Sequence, residues 1–435
     1  MNTKKLLTTT ALVSLFASGA LADGMAERPN LDIKFAGVAD VQMGFNMQES
    51  KYKNTTASLT PNNEDIAFDS KAYLSLEASG KTAKGLKYGA HLGLAPTVLF
   101  TTNSSNHYLN RSYIFVEDKD IGRLEFGSNE SASDQMFLDA GSIAAAAGGV
   151  RGDWIKYVHI VSAGATNTTA TGDFIVNPAM PLENELYVQA LNAQSASTFN
   201  AVREKARKIS YFSPKFEGFQ LGVSFIPDIR NTAGLASVIN TNSSATAITM
   251  QEENAIAAGI SWGGKVATDH KLKVSVVGEY GKVKIPVAGT GVEDTKAIAL
   301  GGTWNYKQFA AAASGGYLGR TDYYKTTTAA YTALRKDAWF ATLGAGMEFD
   351  KFYATVTGMY STKNDNKAYL VSGGIEYNLA PGLLPYAEVT YMNLDGKNTG
   401  LTNPATGTAG TTTLLASTTL KSTGTAFILG TKVKF

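Results

Sequence analysis

From Leu31 to Met47 apolar and small residues hold the odd positions: Leu31, Ile33, Phe35, Gly37, Ala39, Val41, Met43, Phe45 and Met47. Asp32, Lys34, Asp40, Gln42 and Asn46 fall between them. Successive side chains of a strand point to opposite faces, so this period of two predicts one long strand with an oily side and a polar side. The pattern returns in Phe68, Ala72, Leu74, Leu76 and Ala78 against Asp69, Lys71, Ser75 and Glu77, and again in Leu272, Val274, Val276 and Tyr280 against Lys271, Lys273, Ser275 and Glu279. Extended over the chain, it predicts sixteen strands near 31–47, 67–81, 86–95, 108–117, 122–127, 205–213, 219–227, 254–262, 271–280, 296–305, 308–317, 337–349, 352–360, 367–379, 384–392 and 424–435.

The connections carry separate information, because short and long ones alternate. The short ones are Thr82–Gly85, Asp118–Ile121, Pro214–Gly218, Gly263–His270, Tyr306–Lys307, Asp350–Lys351 and Ala380–Leu383. The long ones, rich in Asn, Thr and Ala, are 48–66, 96–107, 128–204, 228–253, 281–295, 318–336, 361–366 and 393–423, the seventh being the least long. An even number of antiparallel strands with tight turns at one rim and large loops at the other is the plan of a transmembrane β-barrel, with the short turns periplasmic and the long loops extracellular.

Aromatic positions on the oily face support a bilayer. Tyr88, Phe219, Trp262, Trp304, Phe309, Phe349, Phe352 and Tyr377 mark its short-turn end. Phe45, Phe68, Phe225, Tyr280, Tyr317, Trp339, Tyr360, Tyr369 and Tyr391 mark its long-loop end. Two such girdles are what aromatic rings at the headgroup level produce. The strand Tyr108–Glu117 fits least well. Placing Arg111 inside turns Tyr113 and Phe115 inward too; this parity is preferred because a guanidinium in lipid costs more than an inward ring, with a bulge or subunit contact as the alternatives.

Composition removes other classes. There is no Cys, so disulfide frameworks, thiolate metal sites and Cys nucleophiles are excluded together. Lys4 and Lys5, the apolar stretch Leu6 to Ala17 and the exit Ala20-Leu21-Ala22 predict a secretory signal peptide over 1–22, with the barrel in 23–435. Taking Lys4 and Lys5 from the 39 basic residues leaves 37, equal to the 37 acidic ones, so the mature chain has no global field for nucleic acid. The four His (91, 107, 159, 270) show no ligand spacing, and no Ser or Asp nucleophile is placed with a His, so neither a metal or cofactor site nor a catalytic residue is predicted and the chain is not read as an enzyme.

With these residues in view, the chain resembles the general bacterial porins, especially those of alphaproteobacteria. The resemblance lies in Phe68–Gly80, Asn110–Val116, Gly122–Ser128, Ile209–Pro214, Gly218–Gly222 and the terminal Phe435. It implies an all-β, sixteen-stranded antiparallel barrel in the bacterial outer membrane, in contact with its lipid and lipopolysaccharide. It also implies a homotrimer, a third long loop folded into the lumen, a C-terminal aromatic that serves assembly, and passage of ions and small hydrophilic solutes.

The segment 128–204 is that third loop, and its length alone marks it as functional or disordered. Its first half holds Glu130, Asp134, Asp139 and Asp153, while the wall strands supply Lys71, Arg111, Arg123 and Arg207. Acids on one side of a neck and bases on the other would set up a transverse field that orients polar solutes. The family's pairing of loop carboxylates with wall arginines carries over best to Arg111, Arg123 and the acids of 130–139. Within 128–204 eight acids against three bases lean toward cations. An adhesive or structural barrel, a substrate-specific channel and a barrel hydrolase are the competing readings.

Overall fold

The structure, a computed structural model, describes residues 31–49, 65–94, 109–158, 174–182, 206–229, 251–284, 291–321, 324–325, 336–396 and 420–435. The predicted signal peptide and much of the long connections lie outside the described residues. Sixteen antiparallel strands form one closed barrel. Numbered along the chain, they are β1 Asp32–Asn46, β2 Ile66–Lys81, β3 Lys87–Leu94, β4 Leu109–Asp118 and β5 Gly122–Ser128. Next come β6 Arg207–Phe212, β7 Phe219–Asp228, β8 Gln251–Ala267, β9 His270–Lys284 and β10 Thr295–Tyr306. The circuit ends with β11 Phe309–Gly319, β12 Ala338–Phe349, β13 Phe352–Lys363, β14 Asn366–Tyr377, β15 Leu383–Gly396 and β16 Leu420–Lys434.

Each strand pairs with its sequence neighbour, and β16 closes on β1 from Val38↔Lys434 to Asn46↔Ala426. Phe435 finishes the seam: its N–H donates to the Gly37 carbonyl (3.0 Å), and the Gly37 N–H donates back to its carbonyl (2.8 Å). Its ring lies 6.1 Å from that of Phe35. The C-terminal aromatic is thus the last rung of barrel closure.

The oily rows face outward all round. Val41 on β1, Phe68 on β2, Ile114 on β4, Leu300 on β10, Leu343 on β12 and Val371 on β14 are all more than half exposed. Such a continuous apolar belt is untenable in water and expected in hydrocarbon. Rows of adjacent aromatic rings bound it. Trp339, Tyr360 and Tyr369 run side by side across β12–β14 at the long-loop end, with centroids 5.1 and 4.8 Å apart. Phe349, Phe352 and Tyr377 do the same at the other end, at 5.4 and 4.7 Å. Trp339 and Phe349 are ten steps apart on β12. At about 3.3 Å per residue and a tilt of about 40° this separates the girdles by about 25 Å along the membrane normal.

Arg111 takes the inward parity. Ile114 and Val116 are exposed outside while Phe115 is 1% exposed inside. A bulge in the β3–β4 pairing lies next to Arg111, where Gly93 pairs with Arg111 and Leu94 with Leu109.

Several strands run past their expected ends, β9 to Lys284 and β15 to Gly396 among them, and two connections are shorter than expected. The predicted long connection 361–366 is a tight turn: Asn364 and Asp365 both have positive φ (54° and 65°), and Lys363 pairs with Asn366. Asn and Asp tolerate the left-handed region that this turn demands. The connection after β8 is likewise tighter than 263–270, because β8 runs to Ala267 and β9 starts at His270. Outside the barrel, Gly291–Val292 and Tyr324–Lys325 pair as a small second sheet.

The belt fixes a measurable cost. Leu343→Arg should destabilise the barrel folded in lipid vesicles by about 2–4 kcal/mol in denaturant titrations, the penalty for a guanidinium near the bilayer midplane. A loss below about 0.5 kcal/mol, typical of surface changes, would mean that this row does not face hydrocarbon.

Candidate functional site: the loop-lined lumen

After β5 the chain turns inward and follows the inner wall. Four short helical segments are laid against successive strands. Ala132–Met136 packs on β6–β9, Ala140–Ile143 on β11–β13, Gly149–Arg151 on β13–β15, and Asp153–Tyr157 on β16 and β1. The described part of the predicted in-folded loop is therefore inside the barrel, and it passes most of the strands; 159–173 and 183–204 lie outside the described residues.

These segments are too short to satisfy their own backbone, and buried peptide groups must find partners. The wall provides them. Ser224 Oγ accepts from Ala132 N–H (2.8 Å), Thr342 Oγ1 from Ala140 (3.1 Å), Thr355 Oγ1 from Ala145 (2.9 Å) and Thr357 Oγ1 from Val150 (3.1 Å). Glu388 accepts from Gly149 N–H at 2.9 Å. Glu279 ties two limbs of the loop together: Ser133 Oγ donates to one of its oxygens (2.6 Å) and Leu182 N–H to the other (2.8 Å).

Packing completes the attachment. Trp154, Val150, Ile175, Met180 and Leu182 are 2% exposed or less. They belong to apolar clusters whose wall members include Phe340, Leu370, Met392 and Ile428. Under the loop the inner face therefore mixes these apolar side chains with the hydroxyl and carboxylate acceptors. Close approach also needs glycine: a Cβ on Gly301 would strike the Leu138 carbonyl, and one on Gly44 would enter the Tyr157 ring.

Among the described residues the helical segments pack mainly on the other strands, and the predicted cations Lys71, Arg111 and Arg123 all sit on the remaining arc, β2–β5. Arg111 on β4 pairs with Glu130 at the start of the loop and lies over the Tyr73 ring, 5.7 Å from its centroid. Lys71 on β2 pairs with Asp153 of the loop and lies 3.6 Å from Asp40 on β1. Arg123 on β5 takes both partners from the wall, Glu125 at 2.7 Å and Glu117 at 3.1 Å, and covers the Phe115 ring at 3.9 Å. His91 on β3 faces inward and stacks on Tyr113, 5.1 Å between centroids.

Three predicted site residues are placed differently. Arg207 shares the outward row of Ile209 and Tyr211, and its neighbour Lys208 takes the inward position, donating to the Asn129 carbonyl. Asp139 is fully buried; it caps Ala140–Ile143 by accepting from Ser142 N–H (3.1 Å) and lies 3.4 Å from Arg151, so it holds the loop and offers solute no aqueous face. Asp134 is half-buried in the first helical segment. Elsewhere, acids and bases meet as contact pairs instead of facing each other across open water.

Lys156, Asp69, Gln42 and Asp40 join the site without having been predicted. Lys156 Nζ donates to Asp69 at 2.6 Å and lies 3.2 Å from Asp153, while Gln42 Nε2 donates to Asp153 at 2.6 Å. Burial opposes the charge on Asp153, but Lys71 beside it, the hydrogen bonds from Lys71 and Gln42, and Lys156 outweigh that and hold its carboxyl below the usual range. Burial likewise opposes the charge on Lys156, and its bond to Asp69 and attraction to Asp153 reverse the balance and raise its pKa.

A closed barrel with an oily exterior, a charged interior arc and an inward loop defines a membrane channel protein. The family profile described as Gram-negative porin matches residues 8–397. The chain belongs to this family, and it is in general terms an outer-membrane porin channel. Uncharacterized proteins of Rickettsia bellii and Rickettsia felis are 26% and 27% identical to it, over 98% and 99% of this chain and 97% and 100% of theirs. Among solved structures, the anion-selective porin from Comamonas acidovorans has a TM-score of 0.55 at 16% identity, covering 93% of this chain and 100% of its own. OmpT of Vibrio cholerae, in a trimer form, has a TM-score of 0.50 at 12% identity over 93% and 99%. These two show the shared fold.

Two outcomes follow from the attachment. A Cβ on Gly344 would lie 3.3 Å from that of Ala140, close to disulfide spacing. In this Cys-free chain, Ala140→Cys with Gly344→Cys should therefore crosslink on oxidation and leave single-channel conductance unchanged; a changed conductance would show that the loop moves during conduction. Because Asp153 has a depressed pKa, its contribution is complete above the ordinary carboxylate value of about 3.9 and is lost only as pH falls through the lower folded one. Protection of amides 153–157 against hydrogen exchange, relative to the intrinsic rate at each pH, should hold down to about pH 4 and fall below it, whereas loss of protection already near pH 6 would contradict this pairing.

Proposed function

We propose that the chain forms a water-filled pore for passive diffusion of ions and small hydrophilic solutes, exported by way of residues 1–22 and assembled as a homotrimer in the outer membrane. The observation that carries this reading is the charged arc β2–β5. It presents Lys71, Arg111 and Arg123 to the lumen where the loop brings Glu130 and Asp153 against it. A solute passing this arc meets fixed charges of both signs, which favours polar solutes over apolar ones. Arg207 and Asp139 drop out of the constriction, and Asp134 stays as a secondary loop acid. The trimer form of the Vibrio cholerae protein supports the assembly.

The wall guanidiniums set the sign of the preference. Arg111→Ser with Arg123→Ser removes the guanidiniums that pair with Glu130, Glu117 and Glu125. In planar bilayers under a salt gradient, the double variant should shift reversal potential toward cation permeability. An unchanged reversal potential would remove both arginines from the ion path. No ion flow through the unaltered protein would leave the adhesive or structural barrel as the better account.

A further inference from the structure

At the short-turn end of β8 and β9 three lysines share the inner face. Lys265 is directly opposite Lys271, and Lys273 is opposite Gly263. On the next strand Asn305 pairs with Lys271 and Thr303 with Lys273. The inward assignment follows from register: Trp262 pairs with Val274 and Trp304 with Leu272 on the oily row, so the odd positions of β9 turn inward, in line with buried Ser275, Val277 and Glu279. Lys265, Lys271, Lys273 and Asn305 are all exposed.

Like charges directly across a strand pair are destabilising, and their Cβ atoms lie only about 4.5–5.5 Å apart. Two steps along one strand add about 7 Å, so all three ammoniums can converge on one small solute. Elsewhere on the wall, comparable cations are neutralised. Arg123 has Glu117 and Glu125, Lys432 has Glu376 at 2.9 Å, and Lys87 has Glu77 at 3.7 Å. Among the described residues, none of the three lysines has a carboxylate within ion-pairing distance. The inward rows of the short-turn halves of β7–β11 contain no acid at all; the nearest, Glu217 and Asp269, sit in turns. The three lie just below the first helical segment of the loop, whose Met136 packs against Gly222 and Gly259.

From this we infer that Lys265, Lys271 and Lys273, with the Asn305 amide, form a binding site for small multivalent oxyanions, such as phosphate esters and polycarboxylates, on the short-turn side of the neck. An ammonium donates three hydrogen bonds and accepts none, so an acceptor-rich anion is the matching ligand. Monovalent chloride can bridge at most part of the cluster, whereas a phosphate or polycarboxylate reaches several members at once. The site is separate from the Arg111–Arg123 arc, and it rests on the pore reading only for solute access.

Inorganic pyrophosphate is the probe. Added in millimolar steps to single channels in potassium chloride, it should reduce conductance saturably. The Lys265→Gln, Lys271→Gln, Lys273→Gln triple variant, relieved of its cross-strand repulsion and therefore expected to fold, should raise the half-blocking concentration about tenfold, and Lys307→Gln should leave it unchanged. Equal block in the unaltered and triple-variant channels, or none in either, would overturn the site while leaving the pore intact. Should the protein conduct no ions, the pore reading fails on its own. The site is then decided by phosphorus NMR of pyrophosphate with the detergent-folded protein: lysine-dependent line broadening supports it, and identical spectra with both proteins reject it.

Discussion

Hydrocarbon offers no hydrogen bonds, so every peptide group of a chain that crosses it must be paired within the protein. A sheet satisfies that demand only if it has no edge. The decisive element is therefore the β1–β16 seam, in which the first and last strands meet and Phe435 exchanges two backbone hydrogen bonds with Gly37. Once the seam is shut, alternation decides the rest: one set of side chains must face lipid and the other must face whatever fills the cylinder.

Along much of the wall it is protein that the inward side chains meet first. The loop after β5 has too little secondary structure to satisfy itself, and the wall supplies hydroxyl and carboxylate acceptors strand by strand. The loop buries a second apolar core against the inside of the barrel, so its position is set by packing and hydrogen bonding together. That attachment is also what creates a site. Its described part packs along most of the wall, the wall's guanidiniums and lysine meet loop acids on the arc β2–β5, and the lysines at the short-turn end of β8 and β9 stay exposed.

Much of the barrel was legible in the residue order because strand alternation is a strictly local signal. All sixteen strands are present, and Arg111 turns inward as the cost of a lipid-facing guanidinium requires. Boundaries slipped where the apolar row stops at the edge of the membrane while the ladder continues in water. β8 carries on through Gly263, Gly264 and Lys265, and Asn364-Asp365 in a polar run resembled part of a long loop although it is a two-residue turn. The site was legible in kind more than in detail. Lys71 and Asp153 were both expected, but they come from positions 82 residues apart, and Lys156 with Asp69 carried no local signal because only the circuit of the loop joins them. Arg207 is the instructive case. Ile209 and Tyr211 already placed its parity outward, and the pull of a basic residue near the lumen outweighed a pattern that was correct.

The most direct test of the account exploits the absence of cysteine. Single cysteines at each position from Lys71 to Glu77 on β2, in protein folded into lipid vesicles, can be probed with a water-soluble, membrane-impermeant maleimide and with a lipid-confined fluorescence quencher. Inward positions 71, 73, 75 and 77 should react with the maleimide, and outward positions 72, 74 and 76 should be quenched from the lipid, in strict alternation. Uniform labelling of both sets, or protection of both from lipid and water alike, would contradict a barrel with hydrocarbon outside and water within.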